Sequence, residues 1–293
     1  MKKITLIILA IIFLYSCEDP IDIDIENGER QLVVDAVLNS EVETQNIVLS
    51  LSGNYFNQDV LEVTNAKVRV FDSNGNVYEF ENNNTSTYTF IPSNQSFITG
   101  NEYTLEIVYN SETYTSISKP KPVPPIDSIT WSKEQVLFGD VDSIIVAQFW
   151  GVDLVGVGDT YWIRSKVNGK YLDNNTIAFD ASTGRGALTD NVPFIAPIRF
   201  SITPNSAEEG ERLEYGDQIE VELYSVSSEF ADFWIILNDQ LNNGGLFATP
   251  PTNVPSNIKN VNSNGSKAIG WFEISNVSRD NAIISIDKSN NKN

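Results

Sequence analysis

Histidine is absent from all 293 residues, and cysteine occurs once, at Cys17. The missing imidazoles exclude Ser-His-Asp and Cys-His nucleophilic sites, His-ligated zinc and His-ligated haem. A lone thiol excludes thiolate metal clusters and intramolecular disulfides, so the fold must be held by packing alone. Basic residues are scarce too: 19 Lys+Arg stand against 39 Asp+Glu, a formal charge of −20. Such a surface repels nucleic acid and anionic headgroups, and no nucleic-acid partner is expected. Carboxylate chemistry, Ser/Lys pairs and oxygen-ligand sites remain open. No carboxylate pair is singled out by sequence, so no catalytic residue, no cofactor and no metal is expected. The chain reads as a non-enzyme.

Only one long apolar run is present, at residues 4–14, broken by Thr5 and preceded by Lys2 and Lys3. It is well short of the roughly 20 residues a spanning helix needs and fits the core of a secretory signal. Residues 1–16 are therefore read as a signal peptide. The run ends in Leu14-Tyr15-Ser16-Cys17, which resembles the bacterial lipobox, with Tyr15 departing from the usual small or aliphatic residue. That resemblance implies a diacylglycerol on the Cys17 thiol, cleavage before it and acylation of the new amine. Two or three acyl chains (palmitate-like) anchor stably where one does not, each buried methylene contributing about 0.8 kcal/mol. The alternative is an ordinary signal peptide followed by an incidental cysteine.

Residues 17–27 form an acidic tether, Glu18-Asp19-Pro20 followed by Ile21-Asp22-Ile23-Asp24-Ile25-Glu26. It resembles the signal that sends Bacteroidota lipoproteins to the cell surface; a plain solvated tether or an edge strand are the other readings. The expected location is the outer membrane, lipid-anchored and exposed at the cell surface.

The body reads as mainly β, an N-terminal Ig-like antiparallel β-sandwich plus a second β-rich domain with one helix. Strands are expected at 31–38, 46–52, 66–71, 77–80, 87–91, 102–108 and 112–118, spaced by roughly ten residues. Asn74-Gly75 and Asn168-Gly169 are hairpin signals, since both residues tolerate positive φ. The first sandwich is placed at 28–118. Residues 119–125 (KPKPVPP) are a Pro-rich linker, extended and outside any sheet. The second domain is placed at 126–287, with strands at 126–132, 143–151, 160–167, 197–202, 218–226, 268–274 and 283–286. A helix is expected over 229–241, capped by Ser227 or Ser228, with Phe230, Phe233, Trp234, Leu237 and Leu241 on one stripe and ended by Asn243-Gly244-Gly245. Residues 247–260 read as a long loop, and 288–293 as a disordered tail.

All five tryptophans (131, 150, 162, 234, 271) fall beyond the linker. Exposed, Trp150, Tyr161 and Trp162 would make a platform on which sugars stack; buried, they are core, the usual fate of aromatics. Trp234 and Trp271 sit in apolar runs and read as core. Asp140, Asp142, Asp153 and Asp159 lie near Gly139, Gly151, Gly156 and Gly158. Loop carboxylates are what calcium needs, but this spacing fits no EF-hand or aspartate-repeat pattern and reads better as solvated turns. Asp127-Ser128-Ile129 and Asp142-Ser143-Ile144 resemble the O-glycosylation site of exported Bacteroidota proteins, and each also reads as a strand start.

The order of motifs along the chain resembles a family of Bacteroidota lipoproteins known as a domain of unknown function and commonly encoded beside TonB-dependent receptors. The landmarks are Cys17-Glu18-Asp19-Pro20, Leu32-Val33-Val34-Asp35-Ala36, the LSLS run leading to Tyr55, and Ala66-Lys67-Val68. Gly100 with Tyr103-Thr104-Leu105 and Ile126-Asp127-Ser128-Ile129 follow. Residues 250–257, Gly265 and Ile269-Gly270-Trp271-Phe272 close the series. The resemblance implies an outer-membrane lipoprotein that acts as a ligand-binding or accessory subunit of a TonB-dependent transporter. The alternative is a structural or assembly lipoprotein of a surface complex without a small ligand. Beyond Cys17 the resemblance transfers no functional residue.

Overall fold

The computed structural model describes residues 28–53, 60–94, 97–136, 142–173, 175–186, 189–204, 212–243 and 252–286. The signal peptide, Cys17, the acidic tether, Gly244-Gly245 and the 288–293 tail lie outside the described residues. Among those described, no helix is long and apolar enough to cross a membrane.

Among the described residues the first half carries eight strands: β1 (Leu32–Asn39), β2 (Gln45–Leu51), β3 (Leu61–Glu62), β4 (Lys67–Asp72), β5 (Val77–Phe80), β6 (Thr87–Phe90), β7 (Tyr103–Tyr109) and β8 (Glu112–Ser118). After the linker come β9 (Ser128–Gln135), β10 (Ser143–Trp150), β11 (Thr160–Val167), β12 (Lys170–Tyr171) and β13 (Thr176–Phe179). A short helix α1 (Ala196–Arg199) runs into a 3-10 turn (Phe200–Ile202). Then follow β14 (Gln218–Ser225), helix α2 (Ser228–Leu241), β15 (Lys259–Asn260), β16 (Ala268–Ser275) and β17 (Val277–Ile283).

Period-two alternation builds the first core. Leu32, Val34, Ala36 and Leu38 on β1 turn inward, as do Tyr103, Leu105 and Ile107 on β7. One sheet runs β16-β1-β2-β3, with β6 also on β2; the other runs β15-β8-β7-β4-β5. A single buried cluster takes side chains from both.

The sandwich is therefore completed from the far end of the chain, which departs from a first domain closed within 28–118. β16 lies parallel to β1 over its whole length, and β15 extends the β8 edge. Gly270 makes the close approach to β1 workable: it sits at φ +105°, and a Cβ there would meet the Val34 carbonyl oxygen at 1.9 Å. The outer edge of β16 is satisfied by Asn257, whose side-chain amide donates to the Phe272 carbonyl (2.8 Å) and accepts from its N–H (2.9 Å).

The second sandwich sets the β9–β10 hairpin against a sheet ordered β12-β11-β14-β17, with β13 also on β11. Ile129, Ala147, Phe149, Tyr161, Ile163, Phe194, Val221 and Leu223 fill its core, and Val123 and Ile126 of the linker region pack onto it. Asn168 (φ 50°) and Gly169 (φ 80°) make the expected two-residue turn between β11 and β12.

The short strands β3, β12, β13 and β15 are not among those expected, β15 falling within the loop read at 247–260, and two further segments differ from expectation. Residues 197–202 are helical, not a strand, so there are two α-helices among the described residues. Pro197 suits a helix start, and the buried Ile198 and Ile202 are four apart as well as even-spaced. The last strand is Val277–Ile283, earlier than 283–286, because it must pair with β14 directly after the chain leaves β16. Only Asn276 separates those two strands, so the chain crosses between the sandwiches in one residue.

Candidate binding cleft between the sandwiches

On β11, Tyr161, Ile163 and Ser165 turn into the second core, so Trp162, Arg164 and Lys166 turn to the opposite face. Antiparallel β14 places Tyr224 opposite Trp162, Glu222 opposite Arg164 and Glu220 opposite Lys166. β17 then sets Arg279 opposite Glu222. This face meets the outer face of the first sandwich, so the junction has an apolar floor and an ionic mouth.

Trp162, Tyr224, Val226, Phe230, Trp271 and Val277 form the floor, with Val37 of β1 packed against them. Helix α2 wedges into it. Ser227 caps the helix, its hydroxyl accepting from the Phe230 N–H at 3.1 Å. Glu273 of β16, 3 % exposed, accepts from the Ser227 N–H (2.7 Å), the Ser227 hydroxyl (2.8 Å) and Trp271 Nε1 (3.1 Å). Burial raises its carboxyl despite those donors.

At the mouth, Glu222 is 1 % exposed and fully bonded. One oxygen accepts from Lys166 (2.9 Å) and Arg279 Nε (3.1 Å), the other from Tyr171 (2.9 Å) and Tyr224 (3.1 Å). Burial alone would raise this carboxyl, but the two cations bring it below the ordinary range. Lys166 also bonds Glu220. Arg279 reaches across to the first sandwich, donating twice to Glu43 at 2.7 and 3.0 Å. Burial works against the charged Glu43, but its bonds from Arg279 and Asn39 bring its carboxyl down. These residues, with Val37, Asn39, Thr44, Asn46 and Arg164, line a cleft of about 540 Å³, within the size range of small-molecule sites.

The sequence-derived sugar platform is not assembled. Tyr161 is fully buried and bonded to Asp153 (2.6 Å), and Trp162 is 5 % exposed in the junction floor. Trp150 is stacked under Arg199 at 4.0 Å. Trp271 is buried as read, and Trp234 half-buried against Trp162. Of the helix stripe, Phe230 is buried while Leu241 is 75 % exposed.

The aspartates do not converge either; among the described residues no group of three acids could hold a metal ion, and Asp140 lies outside them. Asp153 is 2 % exposed and, mainly through burial with Asp159 and Asp180 adding to it, is pushed up to about 6. The carboxylates of Asp180 and Asp190 brace the loop backbone at Gly158, Asp159 and Gly156. Ser128 and Ser143 sit at opposite ends of the β9–β10 hairpin, both partly exposed.

Sequence reading missed the mouth altogether. Its signal was there: alternate residues of β11 read Trp-Arg-Lys while alternate residues of β14 read Glu-Glu-Tyr.

These features define a two-sandwich β protein whose halves share strands and enclose a polar cleft. The chain belongs to the family described as a domain of unknown function (DUF4249), whose model matches residues 18–281. No curated protein matches it.

Proposed function

We propose that the protein is an outer-membrane lipoprotein, held by acylated Cys17 and exposed at the cell surface, that acts as a ligand-binding or accessory subunit of a TonB-dependent transporter. The observation that carries binding over catalysis is the junction cleft, where charged side chains converge and all but Arg164 pair with one another. Anchoring is supported by Leu14-Tyr15-Ser16-Cys17, and surface exposure by the acidic residues that follow. The transporter is supported by the resemblance to Bacteroidota lipoproteins encoded beside such receptors. A non-enzymatic role accords with the missing histidines.

The test is a pull-down from gently solubilised outer membranes through a tag at the C-terminus. A TonB-dependent receptor should be recovered in near-equal amount, and Cys17→Ser should shift the protein from the membrane to the soluble fraction. Recovery of no receptor when both are expressed sinks the transporter assignment. The second reading, a structural lipoprotein without a small ligand, draws on the same ion pairs: Arg279 and Glu43 already tie one sandwich to the other.

A further inference from the structure

We infer that Arg164 anchors the carboxylate of a small solute in the junction cleft. This rests on the ligand-binding reading above and names the chemistry its ligand would bear.

Three cations and three carboxylates line the cleft: Arg164, Lys166 and Arg279 against Glu43, Glu220 and Glu222. The pairing among them is uneven. Lys166 holds Glu220 and Glu222, and Arg279 holds Glu222 and Glu43. All three carboxylates are thus taken by two of the cations. Arg164 lies opposite Glu222 in the β11–β14 register, yet it forms no ion pair with it, and it reaches Asp35 of β1 only through its longer-range field, without an ion pair.

Its guanidinium stacks instead, 3.8 Å from the Tyr171 ring centroid and 4.7 Å from that of Trp162. Its side chain has no hydrogen-bond acceptor among the described residues, and its Nε is buried without a partner. Stacking occupies the faces of the guanidinium and leaves its donors at the edges. Arg164 lines the cleft and is only partly buried, so a ligand acceptor would meet its terminal Nη donors rather than the enclosed Nε. A carboxylate fits the guanidinium fork with two parallel bonds. The cleft lining is neutral and three carboxylates stand in it, so a singly charged anion suits it better than a phosphate dianion. The volume of about 540 Å³ admits a sugar acid or a similar solute.

The experiment follows arginine Nε–H resonances of the whole mature protein labelled with ¹⁵N. The Arg164 signal is assigned from its absence in Arg164→Lys. Sodium glucuronate, glucose and inorganic phosphate are titrated separately at matched ionic strength. The expected result is a saturable shift of the Arg164 signal with glucuronate and none with glucose. Arg164→Gln should weaken glucuronate binding at least tenfold, and Arg164→Lys should fall between. Shifts of other cleft signals without Arg164 would overturn the anchor and leave ligand binding standing. Phosphate binding more tightly than glucuronate would overturn the carboxylate assignment. Silence with all three probes would overturn the inference, while the receptor pull-down would still judge the accessory role separately.

Discussion

At the floor of the junction Trp162 of β11 lies against Tyr224 of β14, ring centroids 5.4 Å apart. Four residues along β11, toward the mouth, Lys166 bonds Glu220 and Glu222 of the same neighbour strand. One pair of strands thus supplies both environments. The floor is built mainly from aromatic rings whose burial stabilises in proportion to area, about 25 cal/mol per Å². The mouth is built from ions, where desolvation offsets much of the Coulombic gain. Stability should therefore sit in the floor, and ligand chemistry at the mouth.

The largest effect should come from Phe230→Ala. The ring is fully buried and touches Trp162, Trp234 and Trp271, so its loss should cost about 3–5 kcal/mol in urea unfolding. A cost below about 1 kcal/mol would break the comparison, showing that the halves are held by something other than the floor. Next comes Glu273→Ala. It leaves the Ser227 N–H and the Trp271 indole N–H without their acceptor, at about 1–3 kcal/mol for a stranded donor. Glu273→Gln, which keeps an acceptor and does not have to bury a charge, should recover part of the loss.

Local signals in the sequence predicted local structure well. Ser227 and the Phe230 stripe located α2, Asn168-Gly169 located the β11–β12 turn, and alternation located most strands to within two residues. Long-range pairing was another matter. Nothing in Ala268–Ser275 announces that it runs parallel to β1, so the sequence alone leaves it out of the first sandwich. Residues 197–202 satisfied both periods at once, and only tertiary packing decided for helix. The candidate cleft needs the same missing knowledge: Lys166, Glu222, Arg279 and Glu43 become one network only once β11, β14 and β17 are aligned beside the β1–β2 turn. Exposure of tryptophan likewise depends on which sheets face each other.

Acid titration should separate the mouth from the rest by a smaller margin. Glu222 and Glu43 have folded carboxyls below their ordinary value of 4.5. The unfolded chain therefore binds protons first, and their contribution, complete above about 4.5, should be lost as pH falls through the folded values. Asp153 runs the other way. Its folded pKa of about 6 lies above the ordinary 3.8, so its contribution is present at low pH and lost as pH rises through about 6. Urea midpoints between pH 3 and 7 should show both limbs. Glu222→Gln should flatten the lower limb and Asp153→Asn the upper. A lower limb unchanged in Glu222→Gln would mean that Glu222 does not couple to folding.

The smallest effect is expected where the sandwiches are most visibly tied. Arg279 grips Glu43 with two bonds, but the Glu43 side chain is 40 % exposed, and salt screens a pair so placed. Glu43→Gln should cost less than about 1 kcal/mol at low salt and almost nothing near 1 M, where the screening length is about 3 Å. Arg279 would keep Glu222, so no buried charge is stranded. The pair would act on orientation: holding the β1–β2 turn against β17 fixes the width of the cleft that Arg164 lines. Glu43→Gln should accordingly weaken glucuronate binding more than it lowers the urea midpoint. If stability fell and binding did not, the mouth would be a brace, and the division between a floor that stabilises and a mouth that recognises would fail.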